Sequence, residues 1–278
     1  MNKYCVVGDR GTLGDGRRIP DMDKIEHDGR RTAYRVADRG ADGRTLLFVH
    51  GSGGDSCVWK AQHRLAGEHR VVSLDLSGHG GSDDVETPPG QETLAAYVSD
   101  VAAVAKATDA EVLLGNSLGG AVIQWGIVSD TLDPDAAVLV GSGAKLAVLA
   151  DLRDWLATDF DRAVAFLHQP GRFFVDADER LVAASREAMH DCGRAVTERD
   201  FLTSHVFDIR DQLGEIGCPV LAVGGALDEL TPPIYHEYLA RQLPNGVLAI
   251  VPDAAHLVML ERPDRFNTAV TTFLAHVD

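Results

Sequence analysis

Six short apolar runs, each too short for a buried helix, recur along this chain of 278 residues. They read "TLLFVHG" (45–51), "RVVSLDL" (70–76), "AEVLLGN" (110–116), "AAVLVGS" (136–142), "PVLAVGG" (219–225) and "GVLAIVP" (246–252). A strand with one face in water alternates apolar and polar residues, whereas one that is apolar throughout is covered on both faces. Segments with helical spacing fall between these runs, at 92–108, 117–130, 232–243 and 262–277. That alternation predicts an α/β fold, a doubly wound and mostly parallel sheet flanked by helices.

The alternation breaks once. Residues 143–218 separate two of the runs, far more than one crossover connection requires. Amphipathic helical patterns at 146–167 and 178–196 predict a helical subdomain inserted after one strand, with the sheet resuming afterwards. Ahead of the first parallel strand, "KIEHDG" and "RRTAYRVAD" alternate in polarity around Asp28-Gly29, a pair suited to a tight hairpin turn. Residues 1–20, rich in Gly, Asp and Arg and without periodicity, read as a loosely packed extension. The expected organisation is an N-terminal extension at 1–22, core segments at 23–144 and 211–278, and the helical insertion at 145–210.

Charge then excludes partners. The net charge is -16, from 30 Asp and 12 Glu against 21 Arg and 5 Lys. A field this negative repels nucleic acid and anionic membrane surfaces. It suits adaptation to high salt, where counterions screen the self-repulsion, or arginine-favouring usage beneath a merely acidic surface. The chain has no run of 18 apolar residues and no secretory apolar core near its start, so a cytoplasmic protein without membrane insertion is expected. Cys5, Cys57, Cys192 and Cys218 form no CxxC pair and no cluster with histidine, so reduced thiols, no metal and no cofactor are expected. Monomer and homodimer are both open.

Chemistry concentrates where the apolar runs end. In open α/β sheets, ligands sit outside the carboxyl ends of the strands. "EVLLGN" leads into Gly115-Asn116-Ser117-Leu118-Gly119, a G-x-S-x-G pattern at a strand-to-helix turn. The glycines leave room for a tight, strained backbone that lifts the Ser117 hydroxyl out of the sheet. A turn serine between glycines would be the bland reading; the setting between strand and helix predicts a nucleophile.

A serine hydroxyl needs a base to remove its proton. Of eleven histidines, His256 in "VPDAAHLVMLERP" follows the last strand pattern and precedes the last helix. His168, His190 and His205 belong to the insertion, and His27, His63, His69, His236 and His276 sit in hairpin or helix surface patterns. The base needs an acid to fix its tautomer. Asp228 in "VGGALDELTPP" follows the 219–225 run, with Glu229 as its rival and helix capping as its alternative role. The exit of the preceding run, "GSGAK", carries no carboxylate, which favours Asp228. An oxyanion needs donors, and the glycine-rich "FVHGSGGD" (48–55) lets backbone N–H groups approach closely. The backbone N–H groups of Ser52 and Leu118 are the candidates. Asp75, His79 and Asp83 in "DLSGHGGSD" are expected to hydrogen-bond structurally.

With these residues assigned, the chain resembles the α/β-hydrolase fold family through "HGSGG", "DLSGHGGSD", "GNSLGG", "GGALDELTPP" and "AAHLVMLERPDRF", in that order from 23 to 278. The resemblance implies Ser117 as nucleophile, Asp228 as acid, His256 as base and the inserted helices as a lid. Haloalkane dehalogenases and epoxide hydrolases carry aspartate where Ser117 stands, so neither activity is expected. "GNSLGG" is also similar to hydrolases that cleave carbon–carbon bonds in ring-fission products. That branch has tryptophan after the catalytic histidine where this chain has Leu257, and its lid arginine has no clear match among Arg153, Arg162 and Arg172. The expected activity is hydrolysis of a small to medium carboxylic ester, lactone or thioester, with carbon–carbon hydrolysis second and a ligand-sensing protein third. Trp155, Phe160, Phe166, Leu167, Phe173 and Phe174 are expected mostly in the core of the insertion, a minority lining an acyl pocket.

Overall fold

Each apolar run forms a strand: β3 (Thr45–Val49), β4 (Arg70–Leu74), β5 (Val112–Asn116), β6 (Ala136–Val140), β7 (Val220–Gly225) and β8 (Gly246–Val251). The computed structural model describes residues 22–277, so the expected N-terminal extension lies outside the described residues apart from Met22. The predicted hairpin is present as β1 (Asp23–His27) and β2 (Arg30–Ala37), joined through Asp28 and Gly29 at φ 46° and 73°. The described strands form one sheet in the order β1-β2-β4-β3-β5-β6-β7-β8. β1, β2 and β4 pair antiparallel in succession and all other pairs are parallel.

Alternate residues of a strand point to opposite faces, and the core divides accordingly. Leu46, Phe48, Leu114 and Val138 pack with Trp59 and Phe266 on one face. Leu47, Val49, Leu113 and Leu139 pack on the other against α1 (Gln91–Thr108) and α2 (Leu118–Val128). Burying one such side chain contributes about 1.5–3 kcal/mol, so covering both faces is the dominant reason these sequences form strands here. β8 departs from expectation. It lies at the sheet edge, where Val247 and Leu248 are 46% and 41% exposed. Its apolar run reflects strand propensity rather than burial on both faces.

The insertion between β6 and β7 consists of α3 (Ala150–Thr158), α4 (Phe160–Leu167), α5 (Glu179–Cys192) and α6 (Arg194–Val206). Asp159 and Asp178 cap α4 and α5 through their side chains. Three further helices complete the fold: α7 (Pro233–Gln242), α8 (Val258–Glu261) and α9 (Pro263–Leu274). Pro263 occupies the first turn of α9, where its missing N–H costs nothing, and this sets the break from α8. A 3-10 helix at Ser56–Gly67 follows β3.

Three expectations are corrected. His63 and His236 are buried rather than on helix surfaces, because tertiary neighbours cover faces that their local pattern leaves polar. His236 packs against Gly224 of β7, where a Cβ would come within 2.6 Å of its ring. Cys57 is in a disulfide and only Cys192 and Cys218 are free among the described residues, since scattered cysteines carry no local signature of pairing. No helix among the described residues is long and apolar enough to cross a membrane.

Candidate active site

Ser117 follows β5 and stands at the N-cap of α2 at φ 53° and ψ -114°, a backbone region that side chains rarely enter. Its N–H donates to Val140 O at 2.8 Å and its carbonyl accepts from Ser142 Oγ at 2.9 Å, so both neighbouring peptides are fixed from β6. The surrounding glycines are required by space. A Cβ on Gly115 would lie 2.5 Å from the Gly119 carbonyl, and one on Gly119 would lie 2.5 Å from Val49 O. Helix α2 therefore starts in contact with β3, next to the loop that follows that strand.

The loop after β3 passes close to Ser117. A Cβ on Gly51 would meet Ser117 Cβ at 3.1 Å. Gly51 O accepts from His50 Nδ1 at 2.8 Å and from Gly54 N at 3.2 Å, closing a turn around Ser52. His50 Nε2 accepts from Leu76 N at 3.0 Å, which places the ring proton on Nδ1. Burial, assisted by neighbouring His79, lowers His50 to about 4, so it is a neutral hydrogen-bonded post. The N–H groups of Ser52 and Leu118 have no acceptor among the described residues. Two donors are thus free beside Ser117.

His256 and Asp228 meet from different loops. His256 Nδ1 lies 2.9 Å from Asp228 Oδ2, both side chains being buried. Asp228 also accepts from Thr231 Oγ1 at 2.7 Å, Leu230 N at 2.8 Å and Thr231 N at 3.0 Å. Burial pushes its carboxyl up, but His256 and the Thr231 donors outweigh that and hold it below the usual carboxylate range. Phe173 stacks on the His256 ring with centroids 6.0 Å apart and 14° between planes. The His256 and Leu257 N–H groups donate to Arg172 O and Phe173 O, tying this loop to the insertion. Glu229, the rival acid, is exposed and its N–H bonds to Gly171 O instead.

Ser117 and His256 line one cavity of about 380 Å³, with Ser52 at its wall. Its other walls are mainly apolar: Leu146, Val148, Leu152, Leu181, Met189, Phe201 and Leu260 among them. Of the aromatic residues expected from the insertion, Phe173 alone lines it. Trp155 and Phe166 pack edge to face, and Arg162 and Arg172 lie over their rings at 4.2 and 3.8 Å. No arginine lines the cavity among the described residues; Lys60 does. The described residues hold no group of three or more His, Cys, Asp or Glu arranged for a metal ion.

A model of the alpha/beta hydrolase family matches residues 46–269. The chain belongs to that family. It is 30% identical to a provisionally named carbamate hydrolase, RutD, of Agrobacterium fabrum, over 86% of this chain and 95% of that protein. It is 28% identical to the pimeloyl-(acyl-carrier protein) methyl ester esterase of Pectobacterium atrosepticum, over 84% of this chain and 95% of the other. Among solved structures, a thermophilic esterase aligns with a TM-score of 0.81 and 30% identity, covering 92% of this chain and 98% of that one. The chain is an enzyme, a hydrolase.

Two features of the hydrolase's site escaped sequence reasoning. Thr231 stands three residues after Asp228 and holds it by both backbone and side chain, a signal present in the "DELT" turn. Asp200 of α6 reaches across to Gly53 and His79 with no local motif to announce it.

Proposed function

We propose that the protein is a serine hydrolase of small to medium carboxylic esters, acting through Ser117, His256 and Asp228 and an acyl-enzyme. The observation that carries this reading is the strained turn at Ser117 opening on the same apolar cavity as the buried His256–Asp228 pair. Asp228 accepts a hydrogen bond from the Nδ1–H of His256, so that Nε2 is the lone-pair nitrogen that takes the Ser117 proton. Ser117 Oγ then attacks the ester carbonyl, and the oxyanion accepts from the N–H groups of Ser52 and Leu118. His256 returns its proton to the departing alcohol. A water, deprotonated by His256, then hydrolyses the acyl-enzyme.

The helices of residues 145–210 act as a lid, since they supply most of the apolar wall above the serine, and 23–144 with 211–278 form the core. Carbon–carbon bond hydrolysis of an acidic substrate is not favoured, because none of Arg153, Arg162 and Arg172 lines the cavity, and the last two lie over aromatic rings. The test is turnover of p-nitrophenyl esters of graded acyl length, with lactones and thioesters alongside. Preferential hydrolysis of short to medium esters supports the reading. No turnover of any acyl substrate by well-folded protein overturns it.

A further inference from the structure

We propose that Asp200, on the inserted helix α6, is a positioning residue for the oxyanion hole: it pins the Gly53 peptide and so aims the Ser52 N–H at the reacting carbonyl. The proposal rests on the serine-hydrolase reading above. Asp200 is fully buried, yet it belongs to the insertion and reaches into the core loop after β3. Its Oδ2 accepts from Gly53 N at 2.9 Å and from His79 Nε2 at 2.9 Å, and its Oδ1 accepts from Tyr97 OH at 2.6 Å. Each of these partners comes from a different segment: the Gly53 loop, the "SGHGG" loop and α1.

The geometry explains why a distant carboxylate matters to one N–H. The peptide before Ser52 is fixed because Gly51 O takes two hydrogen bonds, from His50 Nδ1 and Gly54 N. The peptide after Ser52 has Gly53 N–H as its donor, and Asp200 is the acceptor. Gly53 sits at φ +65° close against the insertion, since a Cβ there would meet Thr197 of α6 at 3.1 Å and Met189 of α5 at 3.2 Å. The Ser52 N–H belongs to the first of these planes, and Asp200 holds the second. Without Asp200 the Ser52 backbone is anchored on one side only and the turn can shift, and a donor misaimed at an oxyanion loses most of its worth.

Charge makes the bond to Gly53 strong. Burial by itself would push the His79 imidazolium down, but the Asp200 carboxylate raises it well above its ordinary 6.5. Asp200 is held low in return, against its own burial, by His79, Tyr97 and Gly53 N–H. The Gly53 bond is therefore charge-assisted, in a setting without solvent to screen it. Arg199 beside it reaches outward, to Val85 O at 2.6 Å and Asp84 Oδ1 at 2.7 Å, and so fixes α6 to the core. Two neighbouring residues of α6 thus tie the lid to the core, and one of them does so through the oxyanion loop.

The experiment compares wild type with Asp200→Asn by three readings. One is the rate at which a fluorophosphonate labels Ser117. Another is inhibition by an aryl trifluoromethyl ketone, whose tetrahedral adduct puts an oxyanion in the hole. The third is inhibition by the matching carbinol, which fills the cavity without forming an adduct. Labelling and ketone affinity are expected to fall roughly 10- to 100-fold while carbinol affinity stays within about threefold. Tyr97→Phe frees Oδ1 and is expected to show the same split at smaller amplitude, which serves if the Asp200 variant fails to fold. Unchanged ketone affinity and labelling overturn the proposal, as does an equal loss for ketone and carbinol, which marks Asp200 as shaping only the cavity. A wild type that is unlabelled at Ser117 overturns the serine-hydrolase reading with it; labelling that is robust but indifferent to Asp200 overturns this proposal alone.

Discussion

Replacing Asp228 by Asn tests the candidate triad through a consequence that the local hydrogen bonds dictate. Asp228 Oδ1 accepts two backbone N–H groups, from Leu230 at 2.8 Å and Thr231 at 3.0 Å. An asparagine must leave its carbonyl oxygen there, because an amide NH2 facing two donors would leave all three unpaired. Its NH2 then occupies the place of Oδ2, 2.9 Å from His256 Nδ1. The imidazole must present Nδ1 as an acceptor and carry its proton on Nε2, which is the wrong tautomer for deprotonating Ser117. The expected loss in kcat for p-nitrophenyl butyrate is about 10⁴-fold, equivalent to about 5 kcal/mol of transition-state stabilisation. Glu229→Gln, at an exposed side chain on the cavity wall that is not among the hydrogen-bond or ion-pair partners of His256, should remain within a few-fold of wild type. Stopped-flow or plate-reader kinetics at pH 7.5 on both variants, with circular dichroism to confirm folding, decides the matter. An Asp228→Asn enzyme within tenfold of wild type, or a dead Glu229→Gln enzyme, refutes the assignment of the acid.

Stability should fall with acid in a defined window. His50, His63, His168 and His236 are buried, and burial lowers each from the ordinary 6.5 to about 4. Between those values the unfolded chain binds protons that the native state refuses, so the stabilisation is complete above about pH 6.5 and lost toward pH 4. The slope approaches about 1.4 kcal/mol per pH unit for each histidine. His79, raised by Asp200, keeps its own contribution throughout that window. A thermal midpoint that is flat from pH 7 to pH 4.5 contradicts this account. The net charge of -16 predicts that the midpoint rises from low to molar NaCl, and a flat or falling midpoint removes the high-salt reading while leaving catalysis untouched. The missing arginine clamp predicts that kcat/KM for short aryl esters exceeds that for a vinylogous 1,5-diketone acid by at least roughly tenfold, about 1.4 kcal/mol. Faster turnover of the diketone acid reverses the order of the two readings.

How much of this was legible in the chain depends on whether a feature is local. The strand positions, the hairpin turn at Asp28-Gly29 and the turn at Ser117 follow from period, glycine placement and the step from strand to helix. The pairing of Asp228 with His256 was accessible through order along the chain, because each follows a sheet strand whose carboxyl end faces the same side. What sequence could not supply is contact between distant surfaces. The exposure of β8 depends on its being the last strand of the sheet, and the burial of His63 and His236 depends on what packs over them. The cavity wall was legible only in part. The aromatic residues of the insertion pack mostly in its core, with Phe173 on the wall, but nothing local singles out Leu152, Leu181 and Met189, residues that any amphipathic helix would carry. Asp200 was invisible, a lone acid in an exposed-looking pattern whose partners come from three other segments.

The measurement that bears most directly on the central claim is kcat/KM of purified Ser117→Ala for p-nitrophenyl butyrate beside wild type. Ser117 supplies the acyl-accepting oxygen, and the small substitution leaves the backbone bonds to Val140 and Ser142 in place. A loss on the order of 10⁴-fold or more, in protein that unfolds as cooperatively as wild type, is the predicted result. A variant that hydrolyses the ester at the wild-type rate contradicts the account.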